Sequence, residues 1–309
     1  MFALRKDDMK ITAVLNRDGG TFRTTDMQAY CASAVKAFAA KGHDLDCVVV
    51  GGDEVVSALE KASASGADAL VAGGGDGTIS AAAGIAWKTG LPLGVVPAGT
   101  MNLFARSLKL PLDIWKVLDT LADVQIQSVD IATANGRPYV HQFSAGLHAR
   151  MVRMRNSMNF ASKLGKMRAS TNAAFGVMLD PPRFEVIFDI DGDGRSDERP
   201  VSAISVSNNP LGNNALFFAD DLTTGKLGVY LADPLEPTGV FSLAFDIMRG
   251  RFTDNQAVTA STAKVLRLHF PKHRQGAACV LDGELLRMPR DVEIKIHAGE
   301  LKVLVPATA

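Results

Sequence analysis

The chain has 309 residues, of which 47% are hydrophobic and 21% are charged, as is typical of a globular protein that buries a sizeable core. Its 33 Lys and Arg residues balance 33 Asp and Glu residues, so the net charge gives no argument for a nucleic-acid partner. The three cysteines lack the spacing of a zinc site or a disulfide framework, which favours a reducing compartment such as the cytoplasm. We expect no signal peptide and no membrane span, and therefore at most peripheral membrane contact.

Short apolar strands alternate with helices over residues 1–124. The predicted elements are, in order, a strand over 10–16, a helix over 26–41 with Thr25 as N-cap, a strand over 46–50, a helix over 55–65, a strand over 69–72, a helix over 79–89, a strand over 93–96, a short helix through Leu108 and a helix over 113–123. Such alternation indicates right-handed βαβ crossovers and a parallel sheet. The first domain is therefore predicted to be α/β.

From about Gln125 the pattern changes to consecutive strand-like runs. Within them, Asn135-Gly136 and Asp282-Gly283 are strong hairpin signals. Runs of strands of this kind indicate an antiparallel β-sandwich. We predict that this second domain covers 125–297 and that 298–309 packs back on the first.

A glycine-rich segment, GGGDGTIS, follows the predicted strand at 69–72. The backbone N–H groups of such a loop, together with the start of the next helix, bind phosphate. Asp76 would repel phosphate unless a cation lies between them, and Mg²⁺ prefers one or two carboxylates plus substrate phosphates. The segment predicts a magnesium–nucleotide loop, with an ordinary βα connection and Asp76 as a solvated helix cap as the alternative.

Two further loops follow predicted strands. The segment 97–106, PAGTMNLFAR, again joins a glycine loop to a helix, and the segment 16–20, NRDGG, follows the first strand. Taken alone, each is also compatible with an ordinary turn. Because open α/β sheets bind ligands at the carboxyl ends of their strands, the three loops are expected at one sheet edge.

Four motifs together resemble the diacylglycerol kinase catalytic family, which includes bacterial lipid kinases, sphingosine kinases and ceramide kinases. They are GGDGT at 74–78, PAGTMNLFAR at 97–106, NNP at 208–210 and LDGE at 281–284, and their order and spacing match over nearly the whole chain. The resemblance implies a nucleotide-binding α/β domain of the NAD kinase and diacylglycerol kinase type, followed by a β-sandwich. It also implies ATP-dependent phosphorylation of a hydroxyl on a lipid such as diacylglycerol, a sphingoid base or ceramide.

The resemblance further implies roles for individual residues. By motif position, the nucleotide-binding residues are Asn16, Gly20, Gly74, Gly75, Asp76, Gly77, Thr78, Gly99, Thr100 and Asn102. Asp76 is expected to act with Mg²⁺ at the ATP phosphates. The expected catalytic residues are Glu284, which matches the family's general base, its acidic neighbour Asp282, and Asp76. LDGE alone also fits a plain hairpin turn. Phosphoryl transfer needs positioning, charge neutralisation and a group that accepts the hydroxyl proton.

The chain departs from the family pattern at several positions. The first loop lacks a proline, and Met101 and Leu103 replace a glycine and an acid in the third loop. Thr223, Thr224 and Gly228 stand where many relatives carry the acids of a structural magnesium site, so we do not expect that site.

Two segments carry additional signals. Asp189–Pro200 resembles an EF-hand loop, but Pro200 replaces the bidentate glutamate, so a β-hairpin tip is favoured over weak calcium binding. Arg150–Arg168 contains six Lys or Arg residues, no acid and interleaved apolar residues. Such a helix favours peripheral contact with an anionic membrane, with a solvated helix that packs its methionines inward as the alternative.

Two other functions compete with the lipid kinase. An NAD kinase-like enzyme would share GGDGT, but the PAGTMNLFAR and LDGE segments argue against it. A catalytically inactive nucleotide-binding regulatory protein is favoured by Met101, Thr224 and Gly228, whereas the presence of Asp76 and Glu284 argues against it. The sequence leaves open whether the chain forms a homodimer.

Overall fold

Two compact units make up the chain. The computed structural model describes residues 8–123, 125–157, 180–192, 196–272 and 276–306. The first unit contains the described residues up to Ile131, the short insert Asp221–Thr224 and the residues from His297 onward. The second contains the described residues of Ala132–Asp220 and of Gly225–Ile296. The sequence pattern places the domain boundaries at 124 and 298 and gives no signal for the insert.

The first unit is an α/β domain on a parallel sheet with the strand order β2-β1-β3-β4. Its elements are β1 (Lys10–Asn16), a 3₁₀ turn (Thr21–Thr24), α1 (Met27–Ala39), β2 (Asp44–Val50), α2 (Val55–Ser63), β3 (Ala69–Gly74), α3 (Asp76–Thr89), β4 (Leu93–Pro97), α4 (Leu103–Ser107) and α5 (Lys116–Ala122). Strands β3 and β4 are buried along their whole length, as expected for parallel strands covered on both faces. The predicted α/β class of this domain is confirmed.

Helix α1 has Asp26 as its N-cap, so the prediction of Thr25 is wrong. The Asp26 carboxylate accepts hydrogen bonds from the N–H groups of Gln28 and Ala29 at 3.0 and 3.1 Å. The Thr25 hydroxyl instead donates to the Thr21 carbonyl in the 3₁₀ turn, which the sequence did not signal. A carboxylate one residue further along therefore takes the capping position.

Cys31 of α1 and Cys47 of β2 form a disulfide, with their Cα atoms 6.0 Å apart. The prediction against disulfides is wrong for this pair. The two residues come together because α1 packs against β2, a contact that cysteine spacing alone does not reveal. Cys279 is a buried free cysteine, and burial raises the pKa of its thiol to about 11.

The second unit is a β-sandwich, as predicted. Its elements are β6 (Arg137–Tyr139), β7 (Gln142–Gly146), α6 (Leu147–Ser157), β8 (Phe184–Ile190), β9 (Ser196–Val201), β10 (Ala203–Ser207), β11 (Leu227–Ala232), α7 (Pro237–Met248), a 3₁₀ turn (Phe252–Asp254), β12 (Val258–Ala263), β13 (Val265–His269), β14 (Ala278–Leu281) and β15 (Glu284–Arg287). One antiparallel sheet has the order β12-β11-β10-β7-β14-β15. Strands β13, β8 and β9 belong to the other, and side chains of both sheets share one core.

Two long strands continue from one unit into the other. They are β5 (Gln125–Ala134) and β16 (Asp291–Val305). The first part of β16 pairs with β13, and Val303 near its end pairs with Leu93 of β4. The end of β16 therefore pairs with the parallel sheet of the first unit.

Helix α7 has no counterpart among the predicted elements. It packs Val240 and Leu243 onto a cluster that includes Tyr230 of β11 and Phe252. The neighbours of Tyr230 along β11 point to the opposite side, into the sandwich core, so α7 covers the outer face of its sheet. Pro237 at the first helical position was an available start signal.

The two remaining segments are described in part. Strands β8 and β9 form an antiparallel hairpin in which Asp189 pairs with Ser196, as the hairpin alternative predicted, and 193–195 lie outside the described residues. Of the basic segment at 150–168, the description ends at Ser157. Over the described ranges, no helix is long and apolar enough to cross a membrane.

Candidate active site

The three predicted nucleotide loops lie together at the carboxyl edge of the parallel sheet. Gly74 at the end of β3 pairs with Pro97 at the end of β4. The N–H of Ala98 donates to the Gly74 carbonyl at 3.0 Å, and the N–H of Thr21 donates to the Ala98 carbonyl at 2.9 Å. Backbone hydrogen bonds thus join the third loop to both of the others.

Asn16 and Gly20 contact the neighbouring loops. The Nδ2 of Asn16 donates to the hydroxyl of Thr78 at 3.1 Å, which links the end of β1 to the start of α3. A Cβ at Gly20 would lie 3.0 Å from the carbonyl oxygen of Ala98. The first loop is therefore held against the second and third by one side chain and one close backbone approach.

Glycine is required sterically at two positions of the cluster. A Cβ at Gly74 would lie 2.7 Å from the side chain of Thr78, and a Cβ at Gly99 would lie 2.7 Å from the Cα of Gly75. Such distances leave no room for a larger residue. Gly77, in contrast, has nothing within 4 Å of its Cβ position and faces open space.

Helix α3 starts at Asp76, earlier than the predicted Ile79. Its N-cap residue is Gly75, which has no side chain to cap the helix. The first backbone N–H groups of an α-helix have no partner within the helix, and the helix dipole places partial positive charge there. A helix start of this kind is a binding site for phosphate. The exposed Thr100 lies in the adjacent loop.

The carboxylate of Asp76 caps a different helix from its own. Its Oδ1 accepts the N–H of Leu103 at 2.7 Å, and its Oδ2 accepts the N–H of Asn102 at 3.1 Å. These are the first amides of α4, so Asp76 ties the GGDGT loop to the PAGTMN loop. In the alternative that the sequence left open, Asp76 would instead be a solvated helix cap.

Asn102 has a left-handed backbone conformation, with φ 52° and ψ 44°. Its side chain accepts the N–H of Gly99 at 2.8 Å and donates to the Gly99 carbonyl at 3.0 Å. Asn tolerates this conformation better than most residues because its short side chain bonds locally to the backbone. Asn102 therefore closes the loop and turns its own N–H toward Asp76.

Asp76 fits a cation only in combination with phosphate ligands. A carboxylate offers about four lone-pair sites, so each Asp76 oxygen keeps acceptor capacity beside its one N–H partner. In the part of the chain that the structure describes, no group of three or more His, Cys, Asp or Glu residues could hold a metal ion. The donor set thus suits a Mg²⁺ ion that takes its other ligands from a nucleotide and from water.

The LDGE motif forms the predicted hairpin turn in the second unit. Asp282 and Gly283 have φ values of 45° and 84°, and Leu281 pairs with Glu284 across the turn. Positive φ at both central residues is the signature of a type I′ turn.

The carboxylate of Asp282 accepts three backbone N–H groups. They belong to Val140, His141 and Gln142, at 2.9, 2.9 and 3.0 Å. The N–H of Asp282 also donates to the Gln142 carbonyl at 3.0 Å. These bonds hold the LDGE turn against the segment between β6 and β7, so Asp282 positions this backbone.

Two buried residues support this segment. Burial, and secondly the negative charge of Asp282, raises the pKa of the Tyr139 phenol well above its ordinary value, so the phenol stays neutral. Asn208 of the NNP motif is 1% exposed and donates its N–H to the His141 carbonyl at 2.9 Å. The NNP motif therefore forms a hydrogen bond with the same backbone segment that Asp282 binds.

We expect Asp282→Ala to lower the free energy of unfolding by about 2–4 kcal/mol, because three partly buried N–H groups lose a charged acceptor. Urea denaturation would measure the change. Asp197→Ala is the matched control, since Asp197 is an exposed acid that pairs with Arg199 and should cost at most ~1 kcal/mol. Equal stability of the two variants would contradict the positioning role.

Glu284 is the first residue of β15, and its side chain is 58% exposed. It forms an ion pair with the Nη2 atom of Arg137 on β6. The guanidinium group holds the carboxylate in one orientation. Sequence reasoning did not single out Arg137, because it lies outside every motif and reaches Glu284 only through the folded sheet.

Comparisons with known proteins agree with the motifs. Residues 10–134 match the sequence model of the diacylglycerol kinase catalytic domain. An uncharacterized protein of Synechocystis sp. is 31% identical over 262 residues, which cover 82% of this chain and 58% of that protein. A diacylglycerol kinase of Staphylococcus epidermidis is 42% identical over 89 residues, 28% of this chain and 28% of that enzyme. Each match therefore spans less than two thirds of the relative's length.

Solved structures share the fold over nearly the whole chain. A crystal structure of a diacylglycerol kinase from Bacillus anthracis str. Sterne matches with a TM-score of 0.71 at 16% identity, over 97% of this chain and 98% of that one. A further structure from the same organism gives a TM-score of 0.75 at 18% identity, over 98% and 97% of the two chains. The solved structures show the shared fold, and the sequence match over residues 10–134 confirms the resemblance of the motifs to the diacylglycerol kinase catalytic family.

Proposed function

We propose that the protein is an ATP-dependent lipid kinase that transfers the γ-phosphoryl group to a hydroxyl of a lipid such as diacylglycerol, a sphingoid base or ceramide. The observation that carries this proposal is the convergence of three glycine loops on the uncapped start of α3, in a domain of the diacylglycerol kinase catalytic family. Its relatives include diacylglycerol kinases, which fits a lipid acceptor.

In this proposal the first unit binds the nucleotide. The first N–H groups of α3 bind the phosphates, and the open space at Gly77 leaves room for them. The residues we assign to the nucleotide are Asn16, Gly20, Gly74, Gly75, Asp76, Gly77, Thr78, Gly99, Thr100 and Asn102. Asp76 has free lone pairs for Mg²⁺, and this ion, when bound, neutralises the negative charge of the phosphates.

Glu284 acts as the general base for the acceptor. Its exposed carboxylate is accessible to a lipid hydroxyl and accepts its proton as the oxygen attacks phosphorus. Arg137 orients this carboxylate, and Asp282 holds the hairpin that carries it. In this division of roles, Asp282 contributes by positioning and not by contact with the substrate.

The proposed cellular site is the cytoplasmic surface of a membrane, where ATP and a lipid acceptor meet, with peripheral contact to anionic lipid. In a reducing cytoplasm Cys31 and Cys47 would be present as two thiols. A homodimer is compatible with the proposal but is not needed for it.

ATP turnover on a panel of detergent-dispersed acceptors tests the function. The panel contains diacylglycerol, sphingosine and ceramide, with NAD as a fourth acceptor. We expect phosphate incorporation into one lipid class and none into NAD. Phosphorylation of NAD would favour the NAD kinase-like alternative, and nucleotide binding without turnover on any acceptor would favour the regulatory one.

A further inference from the structure

Helix α7 has an apolar outer face. Phe241, Phe245 and Met248 recur at helical spacing and are 46%, 52% and 70% exposed. On the other side of the helix, Val240 and Leu243 are buried against the sandwich. The helix is therefore anchored through one face, while the opposite face presents three large apolar side chains to solvent.

Such a face is unusual for a surface helix. Single exposed apolar residues are normal, but a contiguous group marks a site of interaction with protein or lipid. Two half-exposed phenylalanines and one methionine expose about 300–400 Å² in total. A stable protein interface needs about 800 Å² from each partner, so this face alone is too small for a dimer.

The charges near the face suit anionic lipid. Arg249 lies over the ring of Phe245, with its Cζ 5.4 Å from the ring centroid. Among the described residues, the Arg249 guanidinium group lies within ion-pair distance of no carboxylate.

The other charged side chains around α7 have neighbouring partners. Arg183 pairs with Glu236 at the start of the helix, and Arg251 pairs with Asp254 beyond its end. Asp246 accepts from the side-chain amide of Asn255 at 2.7 Å. The Asp246 carboxylate is thus held towards the buried Asn255, whereas Arg249 lies over an exposed ring of the apolar face.

We propose that the outer face of α7 inserts into the surface of an anionic bilayer, where Phe241, Phe245 and Met248 enter the acyl boundary and the adjacent Arg249 binds a lipid phosphate. Interfacial helices of this type bind in proportion to their buried apolar area plus the attraction of their cations to anionic lipid. The purpose of this surface rests on the proposed lipid kinase function, because a membrane-bound acceptor must be reached from the bilayer surface. The membrane contact itself can be tested without measuring kinase turnover.

Co-sedimentation with vesicles tests the proposal directly. Wild-type protein is compared with the double variant Phe241→Ser/Phe245→Ser on 3:1 phosphatidylcholine:phosphatidylglycerol vesicles, without nucleotide. We expect the double variant to partition at least about tenfold more weakly, since two partly buried rings no longer enter the lipid. Arg249→Gln should weaken binding to these vesicles by roughly fivefold and leave the weaker binding to pure phosphatidylcholine unchanged.

A matched control comes from the first unit. Val56 of α2 is 50% exposed, and Val56→Ser should bind vesicles like the wild type. Because the two phenylalanines are half exposed, the double variant should melt close to the wild-type temperature and retain activity on detergent-dispersed lipid. Loss of vesicle binding with these two properties retained supports the proposal.

Two results would overturn it. Unchanged pelleting of the double variant would exclude the α7 face from the membrane contact. Sedimentation velocity that shows a wild-type dimer and a monomeric double variant, with vesicle binding unaltered, would assign the face to a second copy of the chain. Absence of turnover on every acceptor, combined with phenylalanine-dependent vesicle binding, would instead contradict the kinase proposal and leave the membrane surface supported.

Discussion

Glu284→Gln is expected to lower turnover by ~10²–10⁴-fold, the usual size of a lost general base. The amide has nearly the same shape as the carboxylate, and its oxygen still accepts a hydrogen bond from Arg137, so the side chain keeps its orientation. It cannot accept the hydroxyl proton. Because Glu284 is 58% exposed, folding and ATP affinity should stay close to wild type, as unfolding curves and nucleotide titration would measure.

Glu293→Gln provides the matched control for this experiment. Glu293 belongs to the same unit, is 55% exposed and pairs with Arg267 at 3.1 Å, so it matches Glu284 in exposure and in having an arginine partner but lies outside LDGE. Its substitution should leave kcat unchanged. A wild-type kcat for Glu284→Gln would remove Glu284 from the role of base, and an equal loss in both variants would point to a general effect of charge.

The glycines of the three loops were predictable as motifs because two of their positions admit no side chain. At Gly74 and Gly99 the chain passes so close to Thr78 and Gly75 that any side chain would collide, and this requirement is visible as a motif. The role of Asp76 as a clamp was not visible. Its partners Asn102 and Leu103 are 26 and 27 residues away, and only the pairing of β3 with β4 brings them beside it.

The second unit shows the same division between local and distant causes. The turn at Asp282-Gly283 was predicted because its conformation depends on the two residues themselves. The pairing of Arg137 with Glu284 joins residues 147 positions apart, and no sequence spacing encodes it. The disulfide between Cys31 and Cys47 was missed for the same reason, since it depends on how α1 packs against β2.

Asp76→Asn is expected to weaken Mg–ATP binding by about 10–100-fold, the range typical of residues that support a metal ion. The effect on ATP without metal should have the opposite sign. Removal of a negative charge from a phosphate site reduces repulsion, so metal-free ATP should bind equally well or better. Isothermal titration with and without Mg²⁺ would measure both affinities.

The structural role of Asp76 makes a capping control necessary. In the variant, the new side-chain NH₂ can no longer accept an N–H group of α4, so a part of any loss could come from the clamp between the two loops. Asp113 accepts the N–H groups of Trp115 and Lys116 at 2.9 and 3.0 Å, so it caps a helix in the same way. Asp113→Asn should lower the melting temperature in a similar way and leave both ATP affinities unchanged.

The ratio of the two ATP affinities separates the roles of Asp76. A clamp positions the loops for any phosphate ligand, so its loss weakens ATP with and without metal by the same factor. A carboxylate that contacts the cation acts only when the cation is present. A selective loss of Mg–ATP affinity therefore supports the cation contact beyond the clamp, whereas equal losses under both conditions would leave Asp76 as the cap of α4 alone.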